Sequence, residues 1–455
     1  MVTAARLPSP GIAILFAFFA TLLAVAGVAP NAVWLLLCIP MVLGVALLAW
    51  RHLAGFSAAW LLLAGISLEM TLNDLVSPSA YGVTIAVVKA AELSLAGLCM
   101  LQYGPQLDMF NPAWAYLAIF TVGLLHGLHP GLSGADSLRS LAGSVAPFAF
   151  CFSRPPRGWA DAIIRTARWI PLLSVAGGGV LDICGLRPLF VDSGGMRIAG
   201  LGHPAFLAGV CLVAVYACLI RLYRNEASGD LILLGVNLLI LVLTGARAPL
   251  AYGVAVTSLT LAFIPAPCMP ARQRWLLLLG VAVLMPAFAL LDPALSNIRL
   301  FNLLATDTTD LSGRNLLWPS FEAAARESYW LGWGLGAGNF IIPHDSEVAQ
   351  LLQTWAAHNE YLRIGVEGGQ LGRGLLIAFF VLWVMRHMRR LPRAERQIIR
   401  LIFIAFAAHA FTDNVLISTP ASVLFSFVTA VFGAEGSPVA RPPQCSRLPK
   451  AAAVA

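Results

Sequence analysis

Arg247, Arg197 and His358 carry side chains that could hold an anion or move a proton, and of the three it is Arg247 whose surroundings account for it least. Arg247 stands in Leu243-Thr244-Gly245-Ala246-Arg247-Ala248-Pro249, a tight turn between two apolar runs with almost no polar sequence around it. A guanidinium this close to hydrocarbon is costly unless it is paired or faces a polar cavity, and the chemistry open to it there is holding an anion. The plainer reading is an arginine snorkelling to the membrane interface. Arg197 lies in Ser193-Gly194-Gly195-Met196-Arg197-Ile198-Ala199-Gly200-Leu201-Gly202-His203-Pro204. Such a glycine-rich connection can bring backbone N–H groups and a guanidinium to one anion, although glycine-rich turns also simply connect helices. His358 opens His358-Asn359-Glu360-Tyr361-Leu362-Arg363-Ile364-Gly365. If that stretch is helical, His358, Tyr361, Leu362 and Gly365 share one face and the imidazole stands at its start.

Other ionisable residues read more simply. Lys89 and Glu92 are three residues apart inside one apolar run, so they share a helix face and neutralise one another, in preference to a proton relay that no further carboxylates continue. His126 and His129 lack a third partner at any metal-like spacing and read as packing or interface residues. Asp413, in Thr412-Asp413-Asn414 at the outer end of a late span, is on the correct side to join Arg197 and Arg247, but its surroundings assign it no role.

The elements that must position these groups are membrane helices. Of 455 residues, 59% are hydrophobic and 11% charged, which denies the chain the ionic surface of a soluble protein. The expected fold is an all-α polytopic integral membrane protein with about 12–14 transmembrane helices. Spans start near residues 10, 31, 53, 80, 112, 169, 203, 230, 248, 275, 370, 400 and 418, with a short fourteenth over about 140–152. Connecting them alternately gathers Arg51, the Arg154 to Arg168 cluster, Arg221, Arg224, Arg272, Arg274 and the Arg386 to Arg400 cluster on one side, which positive-inside bias makes the cytoplasm. Omitting the short span disturbs that grouping. The arginines on the other face, Arg139, Arg187, Arg197, Arg247, Arg299, Arg314, Arg326, Arg363 and Arg373, are then unexplained by topology. Residues 1–434 are expected to form one membrane domain with an extracytoplasmic loop inserted over 292–358, and 435–455 read as a disordered cytoplasmic tail. The net charge of +7 belongs to this topology rather than to nucleic acid. Cys38, Cys99, Cys151, Cys184, Cys211 and Cys218 fall in apolar runs and are expected to pack as small hydrophobes.

Within the long loop, Leu317, Phe321 and Ala324 recur at helical spacing, predicting a short amphipathic helix at the membrane surface. Leu331-Gly332-Trp333-Gly334-Leu335-Gly336-Ala337-Gly338 predicts a tight turn with exposed N–H groups, and lacks the strand context of a dinucleotide-binding fingerprint.

The order Ser-Gly-Arg…Trp, Gly-x-Gly-x-Gly, then His-Asn-x-Tyr-Leu…Glu-x-Gly-x-x-Gly, all in one loop of a multispan chain, resembles the O-antigen ligase and O-antigen polymerase family of bacterial envelope glycosyltransferases. The resemblance runs from about Arg197 to Gly372. It implies that His358 matches an essential histidine ending the periplasmic loop, and that Arg247 and Arg197 match arginines binding the diphosphate of an undecaprenyl-linked glycan. The chain departs from the family pattern at Ala246, where serine is usual, at Tyr329-Trp330, where proline often precedes the glycines, and at Ala205, where asparagine is common.

The implied reaction is transfer of that glycan to an acceptor hydroxyl at the periplasmic face of the inner membrane. Arginine forms bidentate bonds to phosphate and stays charged, so Arg197 and Arg247 could replace a divalent metal, and the chain has no Asp-x-Asp. An imidazole, ordinarily titrating near about 6.5, is suited to take the hydroxyl proton, the role open to His358; alternatively it only orients the diphosphate. Arg314 could add a phosphate or sugar contact, and Asn359, Glu360 and Tyr361 could line the sugar site. No cofactor or metal is expected. Partners are the polyprenyl-diphosphate-linked donor, a glycolipid or glycan acceptor, membrane lipids and other envelope assembly proteins. Ligase and polymerase share this donor chemistry and are not separated by it. A lipid-linked oligosaccharide flippase would also use many spans, but predicts inverted repeats and short loops.

Overall fold

The computed structural model describes residues 45–75, 80–192, 195–224, 229–265, 270–290, 314–352 and 354–433. These residues build a helical bundle with one small hairpin. In chain order the helices are α1 (Leu53–Gly65), α2 (Leu68–Leu75), α3 (Ala80–Tyr103), α4 (Pro112–His126), α5 (Gly134–Val145), α6 (Arg157–Ala167) and α7 (Ile170–Ile183). After the hairpin β1 (Phe190–Asp192) and β2 (Met196–Ile198) come α8 (Pro204–Tyr223), α9 (Gly229–Leu243), α10 (Arg247–Phe263) and α11 (Ala271–Leu290). The last five are α12 (Arg314–Glu327), α13 (Glu347–Leu352), α14 (Glu360–Met388), α15 (Arg393–Ala410) and α16 (Thr419–Gly433).

Most helices begin within a few residues of the expected spans. The expected spans near 10 and 31, the first part of the long loop and the tail lie outside the described residues. Among the described residues, Gly82–Tyr103, Pro204–Tyr223 and Glu360–Met388 are long and apolar enough to cross a membrane, and Val45–Arg51 with Leu53–Gly65 qualify as a pair bent by 109°. The apolar helices Pro112–His126, Ile170–Ile183, Gly229–Leu243 and Thr419–Gly433 are shorter. At 1.5 Å per residue, a 15-residue helix such as α4 rises only about 22 Å.

Local sequence sets several helix starts. Pro112 occupies the first turn of α4, where a missing N–H costs nothing, and Asn111 caps it by accepting from the Ala113 N–H at 3.0 Å. Ser133 does the same for α5, accepting from Asp136 at 3.1 Å. The short span expected at 140–152 is α5 continued by a 3-10 segment, Ala146–Phe152. It crosses the bundle. At its start Ser137 donates to the Leu335 carbonyl of the glycine turn at 2.8 Å, and at its end Phe152 accepts from the Gln106 N–H at 2.7 Å.

The core is centred on α8, which is buried along nearly its whole length and packs against α7, α9, α10, α15 and α16. An aromatic group adjoins it, with Phe148 tilted against Phe425 at 4.4 Å and edge-on to Trp383 at 6.4 Å. Charges gather at the end of the bundle away from the loop. Arg168 and Arg221 converge on Asp230, and Arg224 grips Glu395 through two bonds of 3.2 and 2.7 Å. Lys89 and Glu92 pair at 3.4 Å, joined by Ser422, which donates to Glu92 at 3.0 Å. Cys99, Cys151, Cys211 and Cys218 are buried as expected, but Cys184, just past the end of α7, is exposed.

A second, smaller core lies in the loop. Leu317 and Phe321 of α12 pack with Leu132, Ala337, Ile342 and Val366. The apolar face of α12 is therefore spent inside the protein, not left free for a membrane surface.

Helix α14 starts ten residues before the expected span because it is broken at Gly369, which has φ 61° and ψ −163°. The break removes the helical bonds from residues 370 and 371 back to 366 and 367. The glycine turn supplies both halves of what is lost. Trp333 and Gly334 donate to the carbonyls of Val366 and Glu367 at 2.8 and 2.9 Å, while Gln370 and Leu371 donate to the carbonyls of Tyr329 and Trp330 at 2.9 and 3.2 Å. Two of the turn's N–H groups, expected to be exposed, are thus consumed here. A Cβ at Gly369 would lie 2.3 Å from the Trp330 carbonyl carbon, and one at Gly332 would lie 2.5 Å from Glu367 backbone. Gly369→Ala should therefore cost about 1–3 kcal/mol, read as a lower Tm in detergent; an unchanged Tm would show that the break is dispensable.

Candidate functional site

The site is assembled at the loop end from four connections. The first is the hairpin, in which Arg197 pairs with Val191 across the strands. Arg197 is 8% exposed, and its Nε donates to the Thr244 carbonyl at 2.7 Å. Thr244 in turn accepts from the Ala246 N–H at 3.3 Å, and Gly245 takes φ 63°. This turn delivers Arg247 as the first residue of α10, exposed and, among the described residues, without a side-chain partner. Arg197 therefore holds the backbone that presents Arg247.

The second connection opens α8. Arg187 clamps it, donating to the carbonyls of Leu201 and Gly202 at 2.6 Å each and pairing with Asp74 at 2.8 Å. His203 caps α8 with Nδ1, which accepts from the Ala205 N–H at 3.2 Å. Desolvation by the surrounding chain, then the charges of Arg197 and Arg187, push the His203 imidazole down to about 4, against a smaller opposing pull from Asp413. His203 thus stays neutral at physiological pH, and it marks the place where the fields of Arg197, Arg187 and Asp413 overlap.

The third connection, at the end of the long loop, is His358. Its Nδ1 lies 3.1 Å from Asp413 Oδ1 and its Nε2 lies 3.1 Å from Thr354 Oγ1. The residue takes φ 46°, a left-handed conformation uncommon outside glycine. Trp318 of α12 donates to the Ala357 carbonyl at 2.9 Å and packs edge-on to Phe411, fixing the segment from both sides. Asp413 also accepts from the Asn414 N–H at 2.8 Å, and His409 stands 3.8 Å from its other oxygen. Burial alone would push the Asp413 carboxyl up, but the hydrogen bond from His358 and the neighbouring charges of His358 and His409 outweigh it and hold it below its ordinary range.

The fourth connection is α10 itself. Five residues after Arg247, Tyr252 packs its ring 5.4 Å from that of His409. One helix thereby ties the arginine turn to the His358–Asp413 pair.

The other expected site residues have visible structural work. Asn359 is buried and caps α14, accepting from Tyr361 and Leu362 at 3.0 and 3.2 Å. Glu360 is buried between Arg363, which donates to it at 2.7 Å, and the Leu416 N–H at 2.8 Å. Arg363 also reaches Glu367 at 2.8 Å, and Tyr361 donates to the Ala407 carbonyl at 2.9 Å. Arg314 opens α12. His129 packs against Trp333 with ring centroids 5.7 Å apart. Arg187 stands out only as one of the outer-face arginines that topology leaves unexplained, and His203, Tyr252, Thr354 and His409 carry no local signature in the sequence. Asp413 had one, a polar triplet interrupting apolar sequence, but no nearby partner to interpret it.

Because Asp413 is held below its ordinary pKa, it contributes stability that is fully present above about pH 4 and lost as pH falls through the depressed value. Asp413→Asn should lower Tm at pH 7, and the gap to the wild type should close on acidification below about pH 4. A gap that stays constant from neutral to acid pH would refute this assignment.

No curated protein matches the chain. Residues 231–377, from α9 through the glycine turn and His358 into α14, match the model of the family described as O-antigen ligase. Across the stretch that holds Arg247, Arg314 and His358, the chain is O-antigen ligase-like.

Proposed function

We propose that this protein transfers a glycan from an undecaprenyl-diphosphate carrier to an acceptor hydroxyl at the periplasmic face of the inner membrane. The family match supports glycan transfer of the ligase or polymerase kind from a lipid-linked donor. The single observation that carries the mechanism is the His358–Asp413 pair, tied by α10 to the arginine turn.

A carboxylate can only accept, so the bond to Asp413 puts a proton on Nδ1 of His358, and the mechanism takes Nε2 as the nitrogen that receives the acceptor proton. Thr354 agrees, since its oxygen already accepts from the Ala356 N–H at 3.3 Å and its own proton is available to Nε2. Nε2 is then the base. In the reaction the acceptor proton moves to Nε2, the acceptor oxygen bonds to the anomeric carbon, and the bond from that carbon to the diphosphate oxygen breaks with its electron pair. Asp413 stabilises the imidazolium that forms, as a carboxylate behind a catalytic imidazole does. Arg247 is exposed and open to the leaving diphosphate, and Arg197 acts through the turn that presents it. Arg314 supplies a further phosphate or sugar contact.

A ligase delivers a finished glycan, whereas a polymerase extends a lipid-linked repeat. We read ligase as the leading activity and polymerase of the same family as the alternative. Gene deletion followed by analysis of surface glycans separates them: lipid-linked polymer that fails to reach its acceptor supports the ligase, and accumulated single repeat units support the polymerase. Unchanged glycan would overturn both.

His358→Gln should lower turnover by about 10²–10⁴-fold, and Asp413→Asn should follow it by presenting the wrong tautomer. Near-normal turnover in His358→Gln would remove the base. Arg247→Ala should cost about 10²–10³-fold, and Arg247→Lys should recover little of this because an ammonium lacks the planar fork.

A further inference from the structure

Thr354 occupies the position that the proposed mechanism reserves for the acceptor. Its Oγ1 lies 3.1 Å from His358 Nε2, the distance at which an acceptor hydroxyl must sit to lose its proton. The contact is built rather than incidental. The Ala356 N–H fixes the Thr354 oxygen from one side at 3.3 Å, Trp318 holds the next peptide through the Ala357 carbonyl, and Trp355 packs 4.2 Å from His344. His358 itself holds a left-handed backbone conformation, with φ 46°.

Resting on the transferase reading, we infer that Thr354 is a placeholder hydroxyl, which keeps water off the base until an acceptor hydroxyl displaces it. Water is the acceptor this enzyme must refuse. A water molecule at Nε2 would lose a proton to the imidazole, bond to the anomeric carbon and release the same diphosphate, leaving a free glycan with a reducing end. A threonine hydroxyl fills the site and satisfies Nε2, while its secondary, chain-bound oxygen is held by the Ala356 N–H. An acceptor with its own binding contacts can exchange for it; water, with none, does not. Thr354 thereby sets the ratio of transfer to hydrolysis. It is a specificity-determining residue, not part of the bond-forming chemistry.

Three substitutions divide its properties. Thr354→Ser keeps the hydroxyl, Thr354→Ala opens a water-sized gap, and Thr354→Val keeps the volume without the hydroxyl. The test uses the full-length protein in nanodiscs, with polyprenyl-diphosphate-linked glycan and acceptor lipid extracted from the cells that make it. Glycan on acceptor and free reducing glycan are measured together. Thr354→Ala should raise the hydrolysed share about tenfold. Thr354→Val should keep that share low and lower the acceptor KM about 2- to 10-fold, because no internal hydrogen bond has to be displaced. Thr354→Ser should match the wild type on both measures.

A wild-type hydrolysed share in Thr354→Ala overturns the inference, as does an unchanged acceptor KM in Thr354→Val. The Val and Ser arms stand even where the Ala variant does not fold. Wild-type protein that neither transfers nor hydrolyses the donor overturns the transferase reading instead, so the two failures are distinct.

Discussion

Four backbone hydrogen bonds between the glycine turn and the broken helix α14 carry much of this structure. A helix interrupted at Gly369 has two orphaned carbonyls and two orphaned N–H groups, and in a low-dielectric interior each is costly unless satisfied. The turn at 329–334 answers all four. The described part of the long loop is thereby joined to the helix that follows it by backbone bonds as well as by sequence. The Glu360–Arg363–Glu367 group, buried on the first half of the same helix, adds a charged pin whose far end is the Leu416 N–H. Removing one partner of such a group is far more damaging than its net contribution suggests, because the others stay buried and uncompensated.

The candidate site is held by supports of two kinds. Arg187 and Arg197 spend their guanidinium groups largely on backbone carbonyls, shaping two turns. Arg247 is the exposed member of the three. The histidine side is arranged in the same hierarchical way, with Asp413 behind His358 and His409 beside Asp413. The elements that meet here are far apart in sequence, and α10 is the common strut between them.

How much of this could be read in advance follows from the range of the interactions. Helix positions were legible because apolar run length and caps such as Asn111-Pro112 are local. Charge parity points to a structured segment over 140–152, and the structure has there the end of α5 and a 3-10 turn. The span expected near 370 begins at Glu360 because Glu360, Arg363 and Glu367, charged residues that interrupt the apolar pattern, neutralise one another in the buried first half of α14. The glycine turn is legible as a turn, but nothing local announces that α14 will break at Gly369 to receive its N–H groups. Asn359 and Glu360 were singled out for polarity, and the structure uses that polarity for a helix cap and an ion pair. Arg247 stands out as a charge in apolar sequence, whereas His358 draws notice only through the family resemblance. The contact of His358 to Asp413 and the packing of Tyr252 on His409 are tertiary and leave no trace in spacing; the contact of His358 to Thr354, four residues away, is local but spans no recognisable motif.

The bond from Arg197 to the Thr244 carbonyl has a consequence for how this turn can drift. A main-chain oxygen is present whatever residue occupies the position, so the guanidinium asks nothing of side-chain identity there. The one hydroxyl in the turn belongs to Thr244, and it already receives the Ala246 N–H. Alanine at 246 contributes only its backbone N–H to this arrangement, and a serine there would leave the Thr244 carbonyl that Arg197 holds in place. What presents Arg247 in this corner of the molecule is the path of the backbone rather than the side chain that precedes it.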